Sequence, residues 1–213
     1  MGADMSQHYG TIAFTEDVRE AQACNGSRAF YDPKRTKGQA SPDPDPLTGT
    51  ERDFLAERDG FYLATVSETG WPYVQYRGGL PGFLRVLDDH TVGWADFRGN
   101  LQFISTGNLA GDDRVAMIVM DYVHRRRLKI FGRAQVVTAE DRPVLAATLA
   151  DPSYDAVVQR AVLITIEAFD WNCPQHITPR FTAAEIEPHV IALRHQIAAL
   201  QAENDELRKL SGS

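Results

Sequence analysis

Between residues 60 and 138 the chain shifts to a period-two pattern of strand-rich composition, broken by short polar turns. Alternation at period two sends successive side chains to opposite faces of a strand. "FYLATVSE" and "WPYVQYRG", joined at Thr69-Gly70, therefore read as a hairpin. "LRVLDD" and "TVGWADF" flank Asp88-Asp89-His90 as a second, and "RVAMIVMDY" and "RLKIFGRAQVV" form a third through "VHRR". "RAVLITIEAFDW" returns to strand later. Strands joined by short turns, with helices between them, predict a mainly β (α+β) fold in which the antiparallel sheet closes into a barrel and so hides its edges.

The helical decoration is expected at four places. Thr50 caps "ERDFLAERD", with Asp53 completing a capping box and Gly60 ending the helix. "GNLQFISTGNLAGDD" holds a short helix with Leu101, Ile104 and Ser105 inward, and "AEDRPVLAATLADPSYDAVVQ" has helical spacing throughout. Near the start, "TEDVREAQACNGSRAFY" predicts a short amphipathic helix, followed by a Pro- and Asp-rich loop, "DPKRTKGQASPDPDPLTG". The expected division is an N-terminal arm over 1–49, the barrel over 50–181 and a C-terminal helix over 182–213.

That last helix has its own signature. Val190, Leu193, Ile197, Leu200, Asn204 and Leu207 are spaced alternately by three and four, a heptad seam. Val or Ile at one core position, Leu at the other and a single Asn predict a parallel two-stranded coiled coil, with Glu203 facing Arg208 of the second chain. The alternative is an amphipathic helix lying on its own barrel. Pro188 is expected to start or kink the helix.

With 213 residues, 43% of them hydrophobic, the chain can bury a substantial core. A net charge of −7, a pI near 5.3 and the lack of a long basic run argue against nucleic acid as a partner. No window has the roughly 18 consecutive apolar residues of a membrane span. Only Cys24 and Cys173 are present, far apart, which predicts a reduced, cytoplasmic protein.

The chemistry is less legible. "DWNCPQHI" (170–177) gathers an indole, an amide pair, a thiol and an imidazole. A Cys173–His176 nucleophile pair lacks an orienting carboxylate and meets Pro174, and the remaining histidines make no sensible ligand set for a metal. Two readings stay open: the wall of a pocket for a planar ligand, or a structural corner with Trp171 in the core. Earlier, "WPYVQYRGG" puts Gln75 and Arg77 on one face of a strand with Tyr76 opposite, and "GWADFRGN" leads a strand into a turn suited to an anion.

"GFYLATVSETGWPYVQYRGG", "VGWADFRGN" and "RRLKIFGRAQVV" resemble, in order and spacing, the FMN-binding split-barrel proteins of the pyridoxamine 5′-phosphate oxidase-like family, over about residues 50–180. The resemblance implies a homodimer with FMN at the interface, and an FMN-dependent oxidoreductase acting on a small organic substrate by hydride transfer. Carried over by position, the cofactor contacts are Gln75, Tyr76, Arg77, Ala95, Asp96, Phe97, Asn100, Gln102 and Arg127; the pocket-wall reading adds Asn172 and Gln175, with Trp171 and His176 on the substrate side. Asn100, Leu101 and Gln102 stand where the oxidase has a Ser-Arg-Lys phosphate clamp, so Arg77 or Arg98 is expected to compensate. The oxidase's own grip on vitamin B6 phosphate has no counterpart, which argues for another substrate. A non-catalytic flavin-binding or sensing protein and a haem- or deazaflavin-binding barrel remain as alternatives.

Overall fold

The computed structural model describes residues 8–31, 43–171 and 174–211. Along the chain lie α1 (Tyr9–Ala13), α2 (Glu16–Cys24), α3 (Gly49–Ala56), β1 (Gly60–Val66), β2 (Pro72–Gly78), β3 (Arg85–Val86), β4 (Thr91–Phe97), α4 (Ile104–Gly111), β5 (Arg114–Asp121), β6 (Arg126–Thr138), α5 (Pro143–Leu149), β7 (Val158–Trp171) and α6 (Ala183–Ser211). The strands form one antiparallel seven-stranded sheet in the order β2-β1-β5-β6-β7-β4-β3. This is the mainly β split barrel with helical decoration and a C-terminal helix.

The ladder is not closed, contrary to the sequence expectation: β2 and β3 end the order and do not pair. β3 has only two residues, too few to carry a seam. Its approach, Gly79–Leu84, folds back on α3 instead. Gly82 sits at φ +80°, and a Cβ there would lie 2.9 Å from the Ala56 carbonyl oxygen, so only glycine fits.

Alternation builds the core. Phe61 and Leu63 of β1, Met117 and Val119 of β5, Leu128 and Ile130 of β6, and Ile164 and Ile166 of β7 all turn inward and are essentially inaccessible. Phe61 lies parallel to Phe83 with centroids 5.7 Å apart and meets Trp94 edge-on at 5.0 Å. Each such side chain contributes about 1.5–3 kcal/mol through burial. In β7 the register slips at Phe131/Gly132, leaving Glu167 unpaired in the ladder. Its carbonyl then accepts the Asp45 amide at 3.0 Å and ties down the chain that leads into α3.

Local signals differ from expectation in three places. The capping box of α3 is Thr48 with Glu51, not Thr50 with Asp53, and the Thr48 amide donates to the Glu51 carboxylate at 3.0 Å. Only Pro143–Leu149 of the long helical stretch becomes α5, because Pro152 forbids helical geometry just beyond it. α6 starts at Ala183, and Pro188 lies inside it rather than at its start. The Thr182 amide donates to Glu185 at 2.7 Å and the Glu185 amide donates back at 3.3 Å, an unforced start that outcompetes the proline.

Glu51 also accepts the Trp171 indole N–H at 2.7 Å, joining α3 to the end of β7. Burial by itself would raise its carboxyl, but hydrogen bonds from Thr48 and Trp171 prevail and hold it below its usual 4.5. A carboxyl depressed in the folded state stabilises above its unfolded pKa and loses that contribution as pH falls through the folded value. The melting temperature of the wild type should therefore fall below about pH 4.5 with a component that Glu51→Gln lacks. Glu51→Gln should cost about 1 kcal/mol at neutral pH. Identical acid limbs for the two proteins in thermal melts would remove Glu51 from this role.

Candidate functional site

One face of β2 and the end of β4 open into a cleft of about 220 Å³. Period two along β2 directs Tyr73, Gln75 and Arg77 into it. β4 delivers Asp96 and Phe97, the following loop supplies Gly99–Phe103, α4 its first residues, and β7 supplies Arg160.

Asp96 is the hub. It is 5% exposed. Arg77 Nη1 lies 3.2 Å from its Oδ1, while Arg160 approaches Oδ2 with Nε at 2.9 Å and Nη2 at 2.8 Å. Asp96 and Arg160 are direct cross-strand partners between β4 and β7, and Arg77 reaches them from β2 across the gap in the ladder. Two guanidinium groups on one carboxylate leave one net positive charge at the cleft. The Arg77 Nε is buried and has no hydrogen-bond partner, an unmet donor with a cost of about 1–3 kcal/mol unless something accepts from it.

α4 adds a second electropositive feature. Its N-cap, Phe103, is left-handed (φ 53°) and provides no side-chain cap, and the first turn has no acidic residue. Leu101 is left-handed too, at φ 63°. Non-glycine residues there cost about 1–2 kcal/mol each. Asn100 Oδ1 accepts the Gln102 amide at 3.2 Å and so shapes this loop. The strained loop aims the start of α4, Ile104–Thr106, at the cleft. Free first-turn amides and the helix dipole favour an anion. The helix is held in place by Ser105, whose Oγ donates to Gln75 Oε1 at 3.1 Å, and by Asn108, which donates to Thr65 Oγ1 at 2.9 Å. Arg160 also lies 5.0 Å over the Phe103 ring.

Seven of the positions singled out in the sequence share this cleft: Gln75, Arg77, Asp96, Phe97, Asn100, Leu101 and Gln102. Of the two arginines considered as substitutes for the missing clamp, Arg77 lines it and Arg98 does not. Other positions lie elsewhere. Tyr76 is on the outer face of β2 against Tyr62, with centroids 5.4 Å apart, and burial, with Asp59 and Tyr62 nearby, raises its hydroxyl pKa. Ala95 is buried beside Leu149 and Ala161. Arg127 sits in the β5–β6 ladder opposite Met120.

The described residues of the "DWNCPQHI" stretch do not line this cleft within the single chain. Trp171 is clamped between Phe54, edge-on at 4.7 Å, and the Arg126 guanidinium, 4.5 Å over its ring. Gln175 and His176 are exposed beyond it, with His176 at φ 62°, and neither lines the cleft. Asn172 and Cys173 lie outside the described residues. Among the described residues no group of three His, Cys, Asp or Glu side chains could hold a metal, and no helix is long and apolar enough to cross a membrane.

Sequence reasoning passed over Tyr73, Phe103 and Arg160, and placed Ser105 only on the inward side of a helix. Tyr73 could have been found, because it is in phase with Gln75 and Arg77. Arg160 had no local signal, since its place depends on which residue it meets in β4.

Several solved structures share features of this fold. HupZ from Group A Streptococcus, in a single-residue variant form, is 17% identical with a TM-score of 0.46, over 59% of this chain and 99% of that one. A Lactobacillus delbrueckii protein provisionally described as a pyridoxamine 5′-phosphate oxidase is 22% identical, TM-score 0.44, over 58% and 93%. General stress protein 26 of Bacillus anthracis is 13% identical, TM-score 0.38, over 61% and 92%. No curated protein matches the chain significantly in sequence. Residues 47–169 match the family model of pyridoxamine 5′-phosphate oxidase, and since that is more than half of its length, the chain belongs to the pyridoxamine 5′-phosphate oxidase family.

Proposed function

We propose that the cleft holds flavin mononucleotide by its phosphate and that the chain is an FMN-dependent oxidoreductase acting on a small, planar organic substrate. The observation that carries this reading is the net-positive cleft itself, where the Arg77 and Arg160 guanidiniums meet the uncapped start of α4. A phosphate would accept from both, which is why these residues fit the group without a Ser-Arg-Lys clamp.

When bound, the flavin supplies two-electron hydride chemistry. The chain supplies placement. Asp96 holds the Arg77 and Arg160 guanidiniums in fixed positions before any ligand arrives, so little ordering remains to be done on binding. Gln75 keeps one amide donor for the ligand while its oxygen is engaged by Ser105. Phe97 and Tyr73 offer flat apolar surface at the sides.

The same reading includes a homodimer. Tyr62, Val74, Tyr76 and Ile118 are all exposed on the outer face of β2, β1 and β5, where the register sets Tyr62 beside both Tyr76 and Ile118. A contiguous apolar patch of this kind marks an association surface.

Titration of the purified chain with FMN and with riboflavin tests the proposal. Saturable FMN uptake is expected, with riboflavin bound at least about tenfold more weakly, the 1.4 kcal/mol that separates decades of affinity. Equal affinity for both would refute the phosphate anchor, and binding of neither would refute the cofactor. Bleaching of the loaded protein by NADH or NADPH is expected of an oxidoreductase. A loaded protein that neither nucleotide reduces would instead fit a flavin carrier or sensor.

A further inference from the structure

α6 is 29 residues long, about 43 Å at 1.5 Å per residue, and none of its residues is buried. Ile197 is 53% and Leu200 63% exposed, so the apolar stripe is not laid against the barrel. An isolated helix that leaves such a stripe in water has little to stabilise it, because most helical stability comes from packing an amphipathic face.

We propose that this stripe is covered by α6 of a second copy, running parallel, as a two-stranded coiled coil that sets the axis of the dimer. Val190, Ile197 and Asn204 fall at one heptad position and Leu193, Leu200 and Leu207 at the other, the β-branched/Leu division that favours two parallel strands. Asn204 selects the direction. In a parallel pair it faces its own counterpart, and the two amides satisfy each other. In an antiparallel pair centred on the seam it faces Leu193, and its amide is buried without a partner. The flanks agree, since Glu203 of one chain then meets Arg208 of the other. Two symmetry-related helices that run the same way must lie along the twofold, so the coil and any pairing of the barrels share one axis. This inference does not depend on what the cleft binds.

The test uses the full chain with Cys24→Ser and Cys173→Ser, carrying either Asn204→Cys in the seam or Ala202→Cys on the outer face of the helix. Mild oxidation should join the Asn204→Cys chains into a covalent dimer, at least tenfold faster than the Ala202→Cys chains. Equal rates, or no dimer from either, would overturn the proposal. So would linkage that appears only when Asn204→Cys and Leu193→Cys chains are mixed, which marks an antiparallel pair. Sedimentation of an Asn204→Leu chain provides an independent reading. Loss of the polar position should release higher oligomers, whereas an unchanged particle would mean that the seam is unpaired.

Discussion

Removing Arg77 as Arg77→Ala is expected to weaken FMN binding by about 1.5–3 kcal/mol, a loss of roughly ten- to more than a hundredfold in affinity. The size follows from what this side chain does. Its Nη1 is engaged by Asp96 while the side chain lines the cleft, so a bound phosphate gains a charge-assisted hydrogen bond from the guanidinium's remaining N–H groups. The effect should be confined to phosphorylated ligands: riboflavin affinity should hardly change. Flavin fluorescence titrations of wild type and variant, with both ligands, measure it. Unchanged FMN affinity would take Arg77 out of the site, and equal losses for FMN and riboflavin would point to a collapsed cleft rather than a missing contact. Arg77→Lys should recover only part of the loss, because an ammonium cannot present the guanidinium's fixed set of donors.

The second large effect is on stability. Asp96→Ala deletes the one carboxylate that faces two largely buried guanidiniums, with side-chain exposures of 22% for Arg77 and 17% for Arg160. Removing one member of a buried ion pair costs about 3–5 kcal/mol, chiefly because an uncompensated charge stays behind. For a chain of this size the melting temperature should drop by roughly 6–20 °C. Since two like charges are then left side by side, inorganic phosphate should restore more of the lost melting temperature in Asp96→Ala than it adds to the wild type. Thermal denaturation with and without phosphate decides the matter. A drop of only a degree or two would mean that water already compensates both arginines, and Asp96 would not be the hub of the cleft.

These effects meet at a place that could be half read from the chain. Tyr73, Gln75 and Arg77 share a face because strand geometry has a period of two, and period two is a local property that any reader of "WPYVQYRGG" can count. The turns at Thr69-Gly70 and Asp88-Asp89-His90 were equally legible, as was the strand content that leads to a mainly β fold. The family resemblance added Asp96, Phe97 and Asn100, although not what they do. Asp96 was carried over as a cofactor contact, and the structure adds that its carboxylate pairs with two arginines. Asn100 was carried over in place of a phosphate ligand, and the structure adds that its side-chain oxygen folds the loop that aims α4.

Trp171 shows the limit from the other side. Its neighbours in "DWNCPQHI" pointed to a pocket wall, with a structural corner as the other reading, and the structure adds that within the chain it is held by Phe54 and Arg126. Its hydrogen-bond partner, Glu51, is 120 residues earlier in the chain. Glu51 was also missed as the partner of Thr48 in the α3 cap, since Thr50-x-x-Asp53 fits the same local pattern. Which of two overlapping caps forms depends on where the chain enters the sheet, and the Asp45 contact with the β7 bulge settles that entry.

The amino-acid sequence alone determined the elements: strands where a period-two pattern meets β-rich composition, a C-terminal helix where apolar residues recur by threes and fours, and a net charge that speaks against nucleic acid. Those are short-range consequences of backbone geometry and side-chain chemistry. Only the tertiary structure decided that the sheet stays open between β2 and β3, that Arg160 of β7 lands opposite Asp96 of β4, and that an arginine from β2 crosses the opening to join them. Cross-strand register and sheet order arise from packing the whole core at once, and a shift of a single residue in β7 would have turned Arg160 to the other face.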